Sequence, residues 1–218
     1  MTWMKSVALL GVAALLAGCA NQGAQSAYDY SALRESRPAS ILVLPPLNET
    51  PEVIAPAAML AQMTGPLAES GYYVIPVGVM AETFRQNGLD QAADIHQINP
   101  ARLREIFGAD AALYTTVEEY GASYRVVGSV VAVRARSQLV DLRTGKVLWS
   151  GAGAAVKQSN NNGGGLIGLL ISAAIEQIAN SLSDAAFPVA GAASYQMLAA
   201  GRNGGLLFGP RSPHYQPE

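Results

Sequence analysis

The chain has 218 residues and a formal net charge of −2; 50% of its residues are hydrophobic and only 14% are charged. With no Lys- or Arg-rich stripe it has no electrostatic basis for binding nucleic acid, and its apolar content fits an ordered globular body. Its surface must be unusually low in charge, or part of it must be covered by a partner or a membrane.

At the amino terminus Lys5 is followed by the apolar run Val7 to Gly18, with Leu16-Ala17-Gly18 standing directly before Cys19. That run falls short of the roughly 20 apolar residues a helix needs to cross a bilayer, and small residues before a cut suit a signal peptidase. Residues 1–18 are therefore expected to be a signal peptide, cleaved between Gly18 and Cys19. Leu-Ala-Gly-Cys resembles the lipobox of bacterial lipoproteins, which implies lipidation of Cys19 with diacylglycerol and acylation of the new amino terminus. Each buried methylene contributes about 0.8 kcal/mol, so such an anchor is nearly permanent. Cys19 is the sole cysteine, so no intramolecular disulfide can form.

Residues 19–38 are small and polar and read as a flexible tether. An α/β domain is expected over 39–158. It begins with a strand at Ser40 to Leu44, stopped by Pro45-Pro46 because proline cannot donate to a sheet ladder. A helix follows from Val53 to Ala68, with Pro56 tolerable in its first turn, a kink at Pro66 and a stop at Ser70-Gly71. Tyr72 to Pro76 is a second strand, and Val77, Met80, Ala81 and Phe84 mark a second helix ending at Asn87-Gly88. Strand and helix alternating in this way are joined by default through parallel pairing.

Asn99 can cap a helix with Pro100 at its first position, burying Leu103, Ile106 and Phe107 before Gly108. A third strand runs from Ala111 to Glu119, and Gly121 is expected to turn the chain into an extended stretch, Tyr124 to Val140. Val127, Val131, Val133, Ala135 and Leu139 form its apolar face; Arg134, Arg136 and Gln138 form the wet one. Asp141 to Gly145 is a hairpin turn, and the chain returns over Lys146 to Val156 with Trp149 on the strand. Residues 159–165 form a glycine-rich loop, 166–200 a C-terminal helical region, and 201–218 a Gly- and Pro-rich tail. The fold class is α/β: a mixed sheet with helices, a βαβα unit followed by a long antiparallel hairpin, plus C-terminal helices.

Catalytic chemistry has little to work with. There are two histidines, His96 in a loop and His214 in the tail, both read as exposed imidazoles. Gly163, Gly165 and Gly168 match a dinucleotide-binding pattern, but no strand with a terminal acidic residue follows at the needed distance. Glu118 and Glu119, adjacent on a strand, should face opposite ways. Arg134 and Arg136 share a face that solvent alone explains. No metal, cofactor or catalytic residue is expected. The nearly all-apolar run Leu166, Ile167, Leu169, Leu170, Ile171 is too short to span a membrane; a helix buried in the core or in an oligomer interface is favoured, with interfacial membrane contact the alternative. Leu166, Leu169, Leu170 and Ile171 are the candidate interface, together with the strands flanking Thr144-Gly145.

Several stretches carry a family likeness. Ile41-Leu42-Val43-Leu44-Pro45-Pro46-Leu47-Asn48-Glu49-Thr50, Pro66 to Val74, Leu103 to Asp110, and Val140-Asp141-Leu142-Arg143-Thr144-Gly145 resemble the GNA-type lipoproteins of Gram-negative bacteria, a family of unknown function with a fold like the TolB amino-terminal domain. The likeness covers residues 39 to 157 well and the tail more loosely. It implies an outer-membrane location and, through the related curli-secretion lipoprotein CsgG, a role in envelope assembly or secretion. Ala20 after the cysteine is compatible with outer-membrane sorting, and no catalytic residue is carried over.

The expected protein is thus not an enzyme. It is a lipid-anchored outer-membrane lipoprotein that acts through homo-oligomerisation or docking on envelope protein partners. The alternative is a lipoprotein that binds a periplasmic ligand or cell-wall fragment between the carboxyl ends of the first strands and the loop after Pro45, where open α/β sheets place ligands.

Overall fold

A computed structural model describes residues 28–125, 128–159, 185–202 and 204–216. Gly18 and Cys19, most of the glycine-rich loop, and the apolar helix expected from Leu166, with Leu169, Leu170 and Ile171, lie outside the described residues. In chain order the elements are α1 (Ser31–Ser36), β1 (Ser40–Val43), β2 (Leu47–Asn48), α2 (Ala55–Glu69), β3 (Tyr73–Val74), α3 (Val77–Gln86), α4 (Ala92–Ile95), α5 (Pro100–Phe107), β4 (Ala111–Arg125), β5 (Gly128–Asp141), β6 (Val147–Ser159) and α6 (Phe187–Leu198).

The strands form one mixed sheet in the order β3-β1-β4-β5-β6, with β2 pairing β4. β1 runs parallel to both β3 and β4, with Ile41 opposite Val74 on one side and Ala111 on the other. β4, β5 and β6 continue as an antiparallel meander. The expected α/β class and the parallel unit leading into a long hairpin are both present.

Two apolar layers sandwich the sheet. On one face Met59, Met63 and Leu67 of α2 and Ala190, Ala193 and Met197 of α6 pack on Ile41, Val43, Leu113, Val133, Ala135, Leu139 and Trp149. On the other, Met80, Phe84, Ile95 and Leu103 of the three shorter helices pack on Leu42, Leu44 and Ala112. β1 is sandwiched between the two layers, which is why it reads as an unbroken apolar run. The second layer stops at β4. Beyond it Arg134, Arg136, Gln138, Ser150, Ala152 and Ala154 stand exposed, while the opposite face of β5 is buried at Val131, Val133, Ala135, Ser137 and Leu139.

α6 lies close against β6 because that strand carries glycine where the helix crosses. A Cβ on Gly153 would stand 2.2 Å from the Ala193 carbonyl oxygen and 2.8 Å from Met197 Cβ. The C-terminal helix therefore belongs to the main core rather than to a separate region.

Four sequence expectations are corrected. The tether does not extend to Pro38: the Ser150 amide donates to the Tyr28 hydroxyl at 2.7 Å, the Tyr30 hydroxyl donates to the Gly205 carbonyl at 2.7 Å, and Leu33 of α1 is buried in the main core. Enough apolar contacts recur within this polar stretch to hold it on the body. The segment from 201 is likewise docked rather than a free tail, with Leu206 buried and Gly209 N donating to the Ser70 carbonyl at 2.8 Å. Gly121 is not a turn; it lies within β4 at φ 120°, with the Glu52 side chain 3.3 Å from where its Cβ would be. Ile106, expected in the core, is 41% exposed, since α5 turns only Leu103 fully inward.

Candidate functional site

The half of the sheet that no described helix covers forms the floor of an open groove of about 880 Å³. Tyr114 and Thr116 of β4, Arg136 and Gln138 of β5, and Ser150 and Ala152 of β6 make the floor; the loop from His96 to Pro100, with Leu47, makes the wall. Local chemistry fixes that wall. Asn99 Oδ1 accepts from Ala101 N at 2.9 Å and starts α5 with Pro100 in its first turn. Proline there forfeits a donor that would be unpaired anyway, which makes the junction sharp.

His96, at the end of α4, departs from the exposed imidazole expected. It is half-buried, its Nε2 lies 2.9 Å from the Pro45 carbonyl oxygen, and its ring meets Tyr114 edge-on at 5.2 Å. A carbonyl can only accept, so Nε2 carries the proton of this bond and neutral Nδ1 is left as an acceptor. Burial lowers the His96 pKa below the ordinary histidine value, against the opposing pull of the Pro45 hydrogen bond. Burial also raises the Tyr114 pKa. The groove therefore offers a neutral imidazole and a protonated phenol at neutral pH, with the amide of Gln138 and the hydroxyl of Ser150. His214 stays exposed in the docked C-terminal segment, with its ring 5.2 Å from that of Phe208.

The arginines at this rim are paired. Arg136 Nη2 lies 3.0 Å from Glu49 Oε1 and its Nη1 pairs with Glu118, while Arg134 Nη2 lies 3.7 Å from Glu119 Oε2. These bonds, with Glu49 first, raise the Arg136 pKa further. Glu118 and Glu119 thus reach arginines on one face, contrary to the alternation expected for neighbours on a strand. The reason is a bulge: Val117 pairs with Ala135 and Glu119 with Arg134, so Glu118 is an extra residue. A bulge leaves its extra residue unpaired and re-aims its side chain. The isolated Gly121 three residues on is the one local hint of a strand irregularity, since β-bulges favour glycine nearby.

Sequence reasoning placed Arg134, Arg136 and Gln138 correctly on the wet face, but it missed His96 and Tyr114, whose contact joins two segments distant in sequence. Among the described residues no cluster of three His, Cys, Asp or Glu side chains could hold a metal ion, and no helix is long and apolar enough to cross a membrane.

A family model described as "Putative lipoprotein GNA1162-like" matches residues 28–211. The chain belongs to this family. It is 50% identical over 212 residues to "Putative lipoprotein NMB1124/NMB1162" of Neisseria meningitidis serogroup B, covering 96% of this chain and 98% of that one. The crystal structure of lipoprotein GNA1162 from Neisseria meningitidis is 56% identical, with a TM-score of 0.56, and covers 66% of this chain and all of its own. A PelC dodecamer from Paraburkholderia phytofirmans is remoter, at 17% identity and a TM-score of 0.42 over 78% of this chain and 90% of that one. The GNA1162-like match extends from Tyr28, whose hydroxyl accepts from the Ser150 amide.

Proposed function

We propose that this GNA1162-like lipoprotein is anchored to the outer membrane through acylated Cys19 and works without catalysis, by docking its folded body on envelope protein partners or on further copies of itself in envelope assembly or secretion. The observation that carries the docking role is the open half of the sheet: among the described residues helices pack on both faces of β1, while β5 and β6 present Arg136, Gln138, Ser150 and Ala152 to solvent beside the His96 loop. Because Glu119 pairs with Arg134, and Glu49 and Glu118 pair with Arg136, a partner need not supply counter-charges for these arginines. The Leu-Ala-Gly-Cys motif supplies the anchor, and the family assignment supports it.

Site-specific photo-crosslinking in intact cells tests this reading. A crosslinker at Gln138 or Ala152 should yield discrete adducts lost on Cys19→Ala substitution, and one at exposed Val79 on α3 should not. Equal adduct patterns from all three positions, or a mature amino terminus other than Cys19, would sink it.

The same groove favours a second reading, binding of a periplasmic ligand or cell-wall fragment, because it sits beyond the carboxyl end of β1 next to Pro45 and offers the neutral donors and acceptors of His96, Tyr114, Gln138 and Ser150 beside the paired Arg136. Saturating cell-wall fragments should then raise the thermal midpoint in a Tyr114-dependent way.

A further inference from the structure

A second open groove, of about 850 Å³, is cationic, whereas the arginines beside the first are paired with glutamates. Arg34 and Arg37 from α1 and its end, and Arg202 from the segment after α6, line it with Tyr30, Phe208 and Tyr215, and among the described residues no aspartate or glutamate lines it. All three arginines are exposed. Among the described residues none of the three is in an ion pair, although seven other cations of the chain are. The carboxylates of α1 and its approach turn elsewhere, with Glu35 paired to Lys146 at 3.1 Å and Asp29 accepting from Ser31 N at 2.9 Å.

Arg37 occupies a costly backbone position. It stands at φ 49° and ψ 55°, the left-handed region, where it closes α1 by donating its amide to the Leu33 carbonyl at 3.0 Å. It is the one non-glycine residue at positive φ among the described residues. Glycine or asparagine suits that position better, so folding alone does not call for an arginine there.

We propose that this groove binds the phosphate of an anionic glycerophospholipid headgroup in the membrane that holds the anchor. Planar guanidinium groups bind phosphate oxygens through paired N–H donors, and the tyrosines beside them suit the apolar-to-polar boundary of a bilayer. Position favours a lipid over a free anion. Tyr30 lines the groove, and the nine chain steps from Cys19 to Tyr28 extend at most about 30 Å. This proximity rests on the anchor proposed above; the headgroup chemistry does not.

Native mass spectrometry of the full mature protein, released from a neutral detergent with added phosphatidylglycerol or phosphatidylcholine, tests the proposal. One retained phosphatidylglycerol per chain is expected, with phosphatidylcholine bound about tenfold more weakly. Arg34→Ala and Arg37→Gly should each weaken retention about tenfold, and Arg85→Ala on α3 should leave it unchanged. Arg37→Gly separates binding from folding, because glycine relieves the left-handed position and should hold or raise the thermal midpoint while binding falls.

Unchanged retention in both groove variants overturns the proposal. So does displacement by inorganic phosphate at the lipid's own concentration, or binding seen only after Pro217 and Glu218 are deleted, which would make the groove a seat for the chain's own carboxylates. The same spectra report the acyl mass on Cys19. Phosphatidylglycerol retained by a chain without that mass upholds the groove and rejects the anchor.

Discussion

Asp141, at the end of β5, has a side chain only 2% exposed and is surrounded by donors. Its Oδ1 accepts from the amides of Arg143 at 2.7 Å and Thr144 at 3.0 Å; its Oδ2 accepts from Arg143 Nη2 at 3.1 Å and from the Ser36 hydroxyl. Burial alone pushes a carboxyl up, but these donors outweigh it and hold the Asp141 pKa at about 2. The folded value lies below the unfolded one. The carboxylate therefore contributes stability above about pH 4 that is lost as the pH falls toward 2, on the order of 2 kcal/mol in full. Asp141→Asn should remove about that much at pH 7 and flatten the acid limb, as read by denaturant unfolding at successive pH values. Parallel wild-type and variant curves from pH 5 to 2 would contradict this role. From sequence the Asp141-to-Gly145 turn was legible, because Gly145 at φ 72° and an aspartate accepting from the amides that follow it are local devices. The Ser36 bond was not legible, since it joins residues 105 apart.

β6 and α6 show the same division one level up. Trp149 and the alternation after it identify a strand, and Val189 to Ala200 reads as a helical piece, yet their contact depends on Gly153, which periodicity treats as a weak strand residue. Gly153→Val should cost about 3 kcal/mol, since the Ala193 carbonyl stands 2.2 Å from the Cβ position and backbone cannot yield as a flexible side chain can. Ala154→Val, at an exposed neighbour, should stay within about 0.5 kcal/mol of wild type. Equal losses in equilibrium unfolding would mean that the close approach of α6 is not what Gly153 serves. β4 illustrates the converse. Its Gly121 reads as a turn because glycine at positive φ is commoner in turns than in strands, and only pairing with β5 shows the strand running on to Arg125.

At the scale of the molecule, both ends of the described chain close the core. The Tyr72 hydroxyl donates to the Leu207 carbonyl at 2.8 Å, and Trp149 Nε1 donates to the Gly204 carbonyl at 2.9 Å. Gly71, at φ 93°, lets the C-terminal segment approach so closely that a Cβ there would stand 2.4 Å from Ser212 N. Ending the chain after Ala200 should uncover Tyr72 and the Trp149 indole. The thermal midpoint should fall by about 5–10 °C, corresponding to a loss of roughly 2–3 kcal/mol in a domain of this size, and tryptophan emission should shift to the red. An unchanged midpoint would return this segment to the status of a free tail.

The sequence by itself determined what neighbouring residues determine among themselves: the Leu-Ala-Gly-Cys motif, the family-like stretches, the strand-helix alternation from Ser40 to Phe107, and the apolar and wet faces of β5. Side-chain period and capping chemistry are local, so they are written in order along the chain. Tertiary structure alone decided which polar residues meet. The bulge at Glu118 brought two adjacent glutamates to one face, the His96 loop came to Pro45 and Tyr114, and Arg34, Arg37 and Arg202, unremarkable singly, converged on one groove. No periodicity encodes such meetings, because they depend on how far-separated elements share a common core, and it is the burial of that core that fixes their places.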